Sequence, residues 1–221
     1  MSGDGGDVAA SLRSLGCSVD AAADGGLVVC WRDPAWLHDV LECLGHGVWR
    51  EGDRVHVVAH ADRERLAHAV RAALAPQALL LDLDGVLADI EGRKPLASVP
   101  VVQELAARWP LGVVTSCPRR LAESVLARHG FLPFVRTVVC EEDGPGKPDP
   151  FPVRLALQRL GVATAWMVGD NPSDATAART AGVVPLAIAP HGIGAESHAE
   201  RLRAAGAVRL LALADVLGLA R

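Results

Sequence analysis

The chain lacks a strong excess of charge of either sign. Its 221 residues carry a formal net charge of −4, from 22 basic and 26 acidic side chains. Nucleic-acid-binding proteins usually display a basic surface, so this balance argues against a nucleic-acid partner. The sequence also has no uninterrupted run of about 18 apolar residues, which argues against a membrane-spanning helix and hence against a membrane partner.

The sequence has no recognisable leader and no cysteine framework. Residues 1–7 lack the basic start and apolar core of a signal peptide, and we predict a disordered or flexible stretch there. The cysteines are odd in number and lack metal-ligand spacing, which predicts free thiols in a reducing compartment and a cytoplasmic protein. They are Cys17, Cys30, Cys43, Cys117 and Cys140.

What the chain does contain is an alternation of apolar runs and helix-like stretches from residue 78 onward. Runs that are apolar on both faces and separated by helices indicate an α/β fold with a parallel sheet covered on two sides. We expect this domain to span residues 78–221. The predicted strands lie near 78–83, 111–115, 135–139, 163–168, 183–188 and 207–211, and the predicted helices near 100–108, 118–129, 151–160, 172–181, 195–205 and 213–219.

Residues 8–75 are predicted to form a separate small α+β domain, joined to the rest by residues 75–77. Pro34 is suited to the first turn of a helix, and Asp33 to its cap. The predicted helices lie near 8–15, 34–44 and 61–75, and the predicted strands near 26–31 and 54–59.

Two acidic residues follow the first apolar run of the larger domain. Because side chains alternate along a strand, Asp82 and Asp84 point to the same side. Such a pair needs a cation, a shared proton or several hydrogen-bond donors to offset its repulsion. The alternative interpretation is a strand that runs into an acidic turn.

Three later segments add chemistry at predicted strand ends or in a stiff loop. Residues 111–116 end in Thr115 and Ser116, the Gly- and Pro-rich stretch 144–150 holds Lys147, and residues 166–174 end in acids. In this order the four segments resemble the motifs of the haloacid dehalogenase (HAD) superfamily of aspartate-nucleophile phosphohydrolases. The residues of these motifs are similar to those of the phosphoglycolate phosphatase branch.

The resemblance implies a Rossmann-like parallel sheet and a role for each motif residue. Asp82 corresponds to the nucleophile and Asp84 to the general acid and base. Phosphate-binding roles are implied for Thr115, Ser116 and Lys147. A Mg²⁺ site is implied for Asp82, the backbone carbonyl of Asp84, Asp170 and Asp174, the last acting directly or through water.

Other polar residues near the motifs have ordinary structural interpretations. We expect Asp89 to be a turn or cap acid and His191 to lie in a surface loop. Arg119 and Arg120 are expected to be solvated arginines on a helix.

No sizeable cap domain fits between the motifs. Asp84, Thr115 and Lys147 follow one another at intervals of about 30 positions, which core elements fill. An open site must accept a large substrate, borrow cover from a neighbouring chain, as in a homodimer, or use another domain. Residues 8–75 are the candidate cover.

Those residues resemble the small C-terminal domain of histidinol-phosphate-type aminotransferases. The matching stretches are residues 12–16, 26–30, 47–50, 55–58 and 63–66. His56 stands where the family has a substrate-binding arginine, and the large domain with the pyridoxal-phosphate lysine is absent. Transaminase activity is therefore excluded.

Together these features predict a Mg²⁺-dependent phosphatase that hydrolyses a small phosphorylated metabolite through an aspartyl-phosphate intermediate. Two alternatives remain open. One is a phosphatase of macromolecular phosphoesters. The other is a catalytically silent binding or scaffold protein that keeps the fold.

Overall fold

The structure is a computed structural model that describes residues 8–22, 25–58, 62–91 and 93–219. The predicted flexible stretch 1–7 lies outside these residues. The chain divides into two compact units, Met1–Pro76 (unit 1) and Gln77–Arg221 (unit 2). Their boundary falls within the stretch predicted to join two domains.

Unit 1 contains a four-stranded antiparallel sheet in the order β1-β2-β4-β3. The sequence pattern missed β1 and β3, because these edge strands are short and leave most of their side chains exposed. The elements, in chain order, are α1 (Val8–Ser14), β1 (Ser18–Ala21), β2 (Leu27–Cys30), α2 (Pro34–Cys43), β3 (Val48–Glu51), β4 (Arg54–Val57) and α3 (Arg63–Leu74).

The start of α2 follows from its local sequence. The side chain of Asp33 accepts a hydrogen bond from the backbone N–H of Trp36 at 2.9 Å, and Pro34 occupies the first turn. The indole Nε1–H of Trp36 donates to the carbonyl of Ala73 at 3.0 Å. This bond ties α2 to the end of α3 inside unit 1.

Unit 2 contains a six-stranded sheet in which every neighbouring pair is parallel. The predicted α/β class is thereby confirmed. Its elements are β5 (Ala78–Leu81), β6 (Ala88–Asp89), β7 (Lys94–Pro95), α4 (Val99–Arg108), β8 (Leu111–Val114), α5 (Arg119–Arg128), β9 (Val135–Val139), α6 (Phe151–Leu160), β10 (Ala165–Gly169), α7 (Pro172–Thr180), β11 (Val184–Ile188), α8 (Ala195–Ala205), β12 (Arg209–Leu211) and α9 (Val216–Leu219).

The strand order β12-β11-β10-β5-β8-β9 sets the position of the site. From β5 the chain builds outward to β8 and β9, then returns to β10 on the other side of β5. In open parallel sheets, ligands bind beyond the carboxyl ends of the strands at such a reversal. Every residue of β5, β8 and β10 is buried, so polar chemistry is concentrated at the strand ends.

The intervals between the motifs hold core elements. Residues 84–115 contain the β6–β7 hairpin and α4, and residues 115–147 contain α5, β9 and two short 3₁₀ turns. Neither interval holds a cap domain in the described residues. Among the described helices, none is both long and apolar enough to cross a bilayer.

Candidate active site

Three site residues sit directly after neighbouring strands of the parallel sheet. Asp82 follows β5, Thr115 follows β8 and Asp170 follows β10. The amide of Asp82 donates to the carbonyl of Val168 at 2.9 Å, which extends the strand ladder by one residue. The sheet therefore holds the backbone of Asp82 beside the end of β10.

The carboxylates of Asp82, Asp170 and Asp174 form one cluster. One oxygen of each lies within 4.8 Å of the others. Asp82 and Asp174 are buried, and Asp170 is half-buried. Three of the four predicted metal-binding residues thus meet through their side chains.

Asp84 lies outside this cluster. Its side chain is exposed, and Oδ1 accepts a hydrogen bond from the backbone N–H of Ile90 at 3.0 Å. That bond fixes the carboxylate against the turn that joins β6 and β7. The carboxylate is therefore placed at the solvent side of the strand end.

Lys147 supplies the positive charge of the cluster. Its Nζ lies 2.9 Å from Asp82 Oδ1 and 2.6 Å from Asp174 Oδ1, and it donates to the carbonyl of Val114 at 3.1 Å. The ammonium therefore forms ion pairs with two carboxylates and a hydrogen bond with one carbonyl. The side chain is only 4% exposed, so both ion pairs are shielded from water.

One ammonium does not balance the three carboxylates. Burial, followed by the nearby Asp174 carboxylate, raises the pKa of Asp82 to about 7 even though Lys147 opposes the shift. Burial and Asp174 also raise the pKa of Asp170. Burial alone would lower the pKa of Lys147, but Asp82 and Asp174 outweigh it and raise that pKa. The cluster therefore has room for further positive charge.

The donor set fits a magnesium ion. Mg²⁺ prefers carboxylate and carbonyl oxygens and binds through one or two carboxylates while keeping several waters. The clustered oxygens of Asp82 and Asp170 are of this type, and three carboxylates face a single ammonium in the cluster.

Asp174 also caps the N-terminus of α7, which explains its position. Asn171 and Asp174 form a capping box at the start of α7, in which Asp174 Oδ2 accepts from the amide of Asn171 at 3.0 Å. The same oxygen accepts from the amide of Asp170 at 3.2 Å. Oδ1 pairs with Lys147, so both oxygens already organise the site.

Two glycines make room for the carboxylates. Gly85 has φ +76°, and a Cβ there would lie 2.0 Å from Asp170 Oδ2. A Cβ on Gly169 would lie 2.3 Å from the Cβ of Asp174. Real Cβ atoms do not approach other atoms so closely, so any larger residue would displace the acids.

The predicted phosphate-binding residues share one cavity. Thr115, Ser116 and Lys147 line a space of about 270 Å³ at the ends of β8 and β9. Thr115 is buried, and its Oγ1 accepts from the amide of Cys117 at 3.2 Å. This bond shapes the turn before α5, which starts after Pro118.

Arg119 lies on α5 with its side chain 37% exposed, as expected, and it also forms an ion pair that the sequence did not predict. Its Nη2 lies 2.6 Å from Asp143 Oδ2, and Arg159 Nη2 lies 2.7 Å from Asp143 Oδ1. The hydrogen bond from Arg159 is the main cause that lowers the pKa of Asp143 to about 2. The two arginines fix the segment that leads into the Lys147 loop. The signal in the sequence was the acidic run just before that loop.

His198 is a further contact that sequence reasoning missed. Its Nε2 lies 2.7 Å from the carbonyl oxygen of Asp170, and its Nδ1 lies 3.0 Å from Arg201 Nη2. A carbonyl only accepts and a guanidinium only donates, so Nε2 is the donor and Nδ1 the acceptor in these contacts. His198 lies on α8, far from the motifs in sequence, where no local pattern marks it.

Two other expectations concern the rim of the site. Asp89 is the last residue of β6, next to the turn where we expected it, and it pairs with Lys94 of β7 at 3.3 Å. His191 is exposed in the loop after β11 and lines a second cavity beside Asp170.

Comparison with known proteins gives one family and one fold. A family model described as haloacid dehalogenase-like hydrolase matches residues 44–182. A haloacid dehalogenase-like hydrolase from Streptococcus pneumoniae superposes with a TM-score of 0.55 at 17% identity, covering 66% of this chain and 99% of that one. At this identity the likeness concerns the fold.

Curated relatives match over part of their length. An imidazoleglycerol-phosphate dehydratase from Phytophthora nicotianae is 38% identical over 48% of this chain and 24% of its own. A pyrophosphatase from Bacillus velezensis is 43% identical over 38% of this chain and 40% of its own. A phosphoglycolate phosphatase from Rhodospirillum rubrum is 40% identical over a region that covers 42% of this chain and 39% of that protein. The matched regions thus span between a quarter and two fifths of these relatives.

Proposed function

Because this chain belongs to the haloacid dehalogenase-like hydrolase family, we propose that it is a Mg²⁺-dependent phosphatase acting on phosphate monoesters of small metabolites. The observation that carries the proposal is the buried cluster of Asp82, Asp170 and Asp174 facing the Lys147 ammonium. Curated relatives named as phosphatases support a small phosphorylated substrate.

In the proposed reaction Asp82 is the nucleophile. Its carboxylate attacks phosphorus, the ester P–O bond breaks, and an aspartyl phosphate forms. Asp84 gives its proton to the departing alkoxide, so the product is a neutral hydroxyl group. Asp84 then takes a proton from water as the water attacks phosphorus, which releases phosphate and restores Asp82.

The placement of the two acids supports this division of roles. Asp82 is buried beside Lys147, where an incoming phosphate is held against a positive charge. Asp84 is exposed and fixed by the amide of Ile90, where alcohol leaves and water enters. Thr115 and Ser116 border the same cavity as Lys147 and would hold the phosphate oxygens.

Asp82, Asp170 and the backbone carbonyl of Asp84 are the proposed Mg²⁺ ligands. When bound, the ion would offset the charges of the nucleophile and the phosphate. We assign Asp174 an indirect part, because Lys147 and two amides occupy its oxygens. It would orient Lys147 and reach the ion through water.

The test is phosphate release from a panel of phosphorylated metabolites, with Mg²⁺ and with EDTA. We expect release with Mg²⁺ only, and a loss of at least about 10³-fold in Asp82→Asn. Asp20→Asn, an exposed acid on β1 of unit 1, is the matched control and should keep full activity. Equal rates of phosphate release in the wild type and Asp82→Asn would refute the proposal, and no release from either would leave a binding protein.

A further inference from the structure

We propose that Asp143 is a positioning residue of the phosphatase, which holds the Lys147 loop (residues 144–150) at a fixed spacing from the Thr115 turn (residues 115–118). This inference rests on the proposed function, because these two segments are the proposed walls of the phosphate site. It goes further by naming a residue outside the site on which the geometry of the site depends.

The phosphate cavity is built from both segments, so their spacing matters. Thr115 and Ser116 line it from the turn, and Lys147 lines it from the loop. The Lys147 ammonium contacts two carboxylates and one carbonyl at 2.6–3.1 Å. A movement of the loop would lengthen at least one of these contacts. Misplacing a catalytic group by about 1 Å can lower a rate about 100-fold.

The side chain of Asp143 joins the helices that follow the two segments. Its Oδ2 lies 2.6 Å from Arg119 Nη2, and its Oδ1 lies 2.7 Å from Arg159 Nη2. Arg119 begins α5, directly after the Thr115 turn, and Arg159 lies on α6, which follows the Lys147 loop. One carboxylate therefore connects the helix after the turn to the helix after the loop.

The same carboxylate fixes the start of the loop. Oδ2 also accepts a hydrogen bond from the amide of Cys140 at 2.8 Å, which closes the 3₁₀ turn that ends at Asp143. Both arginines donate to the carbonyl of Val138 as well, Arg119 at 3.3 Å and Arg159 at 3.0 Å. Asp143 thus holds the segment that enters the loop and the helix that leaves it.

Other contacts between the two segments do not hold both ends of the loop. The amide of Glu141 donates to the carbonyl of Cys117 at 3.2 Å. The amide of Arg119 donates to the exposed carboxylate of Glu142 at 3.0 Å. Both contacts come before the loop begins, and neither reaches α6. The Asp143 ion pairs supply the connection that these contacts leave out.

Asp143 acts from outside the cavity. Glu141 and Gly144 line the cavity on either side of it, whereas Asp143 is not among the described residues that do so. Its side chain is only 13% exposed and is engaged by two guanidinium groups. Asp143 therefore does not touch the reacting atoms, and its effect on the reaction passes through the residues that it positions.

Asp143→Asn tests the inference, because one guanidinium would then face an amide N–H₂, with donor against donor. With Mg²⁺ and the best substrate of the metabolite panel, kcat/KM should fall at least about tenfold. The inhibition constant for inorganic phosphate should rise at least about threefold. A loss of folded protein alone would lower the apparent kcat but leave KM and the inhibition constant unchanged, because only folded molecules bind.

Asp215→Asn is the matched control in the same unit. Asp215 also ends a 3₁₀ turn, and its Oδ2 accepts from the amide of Ala212 at 3.1 Å, as Asp143 accepts from Cys140. It follows β12, whereas Asp143 follows β9 at the opposite edge of the sheet. This variant should keep the wild-type kcat/KM and inhibition constant.

A second variant removes the connection from the side of α6. Arg159 is 36% exposed, so Arg159→Gln should fold even if Asp143→Asn does not. Both constants should change in the same direction as in Asp143→Asn. In the double variant the two factors should not multiply, because the residues act through one network.

The outcomes separate this inference from the proposed function. Wild-type constants in Asp143→Asn and Arg159→Gln, a fall in kcat alone, or equal changes in Asp215→Asn would overturn the inference alone, provided that turnover still requires Asp82. Absence of Asp82-dependent turnover by the wild type across the panel would overturn the proposed function and this inference with it.

Discussion

The two sheets of this chain handle polar groups in opposite ways. In unit 2, every residue of β5, β8 and β10 is buried, and the acids follow the strands at one edge. In unit 1, buried residues of β4 alternate with the exposed Arg54 and the half-buried His56, and the rings of Trp49 and His56 stack with centroids 4.8 Å apart. A buried parallel sheet concentrates chemistry at its strand ends, whereas a one-sided antiparallel sheet spreads polar groups over a surface.

Concentrating acids at a buried edge should lower the stability of the folded state. Exposed positions in unit 1 serve as controls for measuring this effect. Isolated charges are poorly tolerated away from water. Substitutions at the strand-end site, compared with substitutions at exposed positions, therefore test whether the carboxylate cluster determines the stability and activity of unit 2.

The largest expected effect is on the pH dependence of stability. The pKa of Asp82 is about 7 in the folded protein, against 3.8 as its ordinary value. Between about pH 4 and pH 7 the folded state therefore keeps a proton that the unfolded chain has lost. The free energy of unfolding should fall as pH rises through this window, by up to about 1.4 kcal/mol per pH unit.

Urea unfolding in EDTA at several pH values measures this slope. Asp82→Asn should flatten it, whereas Asp20→Asn on the exposed strand of unit 1 should retain it. Stability that rises with pH across the window in the wild type would show that the Asp82 carboxylate is stabilised, not strained, by its surroundings.

A second comparison uses glycines with positive φ in each unit. Gly85→Ala places a Cβ 2.0 Å from Asp170 Oδ2, so we expect at least about a 100-fold loss of kcat/KM. Gly52 has φ +59° with nothing near its missing Cβ, so Gly52→Ala should cost about 1 kcal/mol of stability and no activity. Equal losses of activity would mean that backbone strain, and not the carboxylate contact, is responsible.

The sequence predicted the sheet of unit 2 and the positions of the acids beside it. The apolar runs and the residues that follow them, such as Asp82 and Asp170, predicted the parallel sheet and the edge at which the acids meet. Strand ends meet by topology, so a local pattern was sufficient. For Lys147 the sequence predicted only that its charge offsets the carboxylates, and not its contacts with Asp82, Asp174 and the carbonyl of Val114.

What the sequence did not reveal depends on contacts between distant elements. The Arg119–Asp143–Arg159 ion pairs and the bond from His198 to Asp170 join residues on separate elements, and no periodicity marks them. The short edge strands β1 and β3 were missed because little of either is buried. That residues 8–75 cover the site, or form a homodimer surface, stays a prediction.

A third experiment sharpens the account of the strand-end site through His198. His198→Ala removes the hydrogen bond to the Asp170 carbonyl, and Mg²⁺ affinity should fall about tenfold. His198→Gln keeps an N–H in a similar place and should recover most of it. Calorimetric titration with Mg²⁺ is the measurement, and equal affinities in the two variants would assign His198 a packing role.

The smallest expected effect lies in unit 1. Trp49→Ser removes the stack on His56 and should lower stability by about 0.5–1.5 kcal/mol in urea unfolding. Turnover number should not change, because the groups proposed to react lie in unit 2. A reduced kcat would show that the Trp49–His56 stack in unit 1 affects turnover in unit 2.

The most direct measurement is acid-quenched mixing of the protein with a phosphorylated substrate, followed by mass spectrometry of the peptide that contains Asp82. We expect a phosphoryl group on Asp82 during turnover, and none on that peptide in Asp82→Asn. Phosphate release by the wild type with no phosphoryl group on Asp82 at any time would contradict the proposed chemistry.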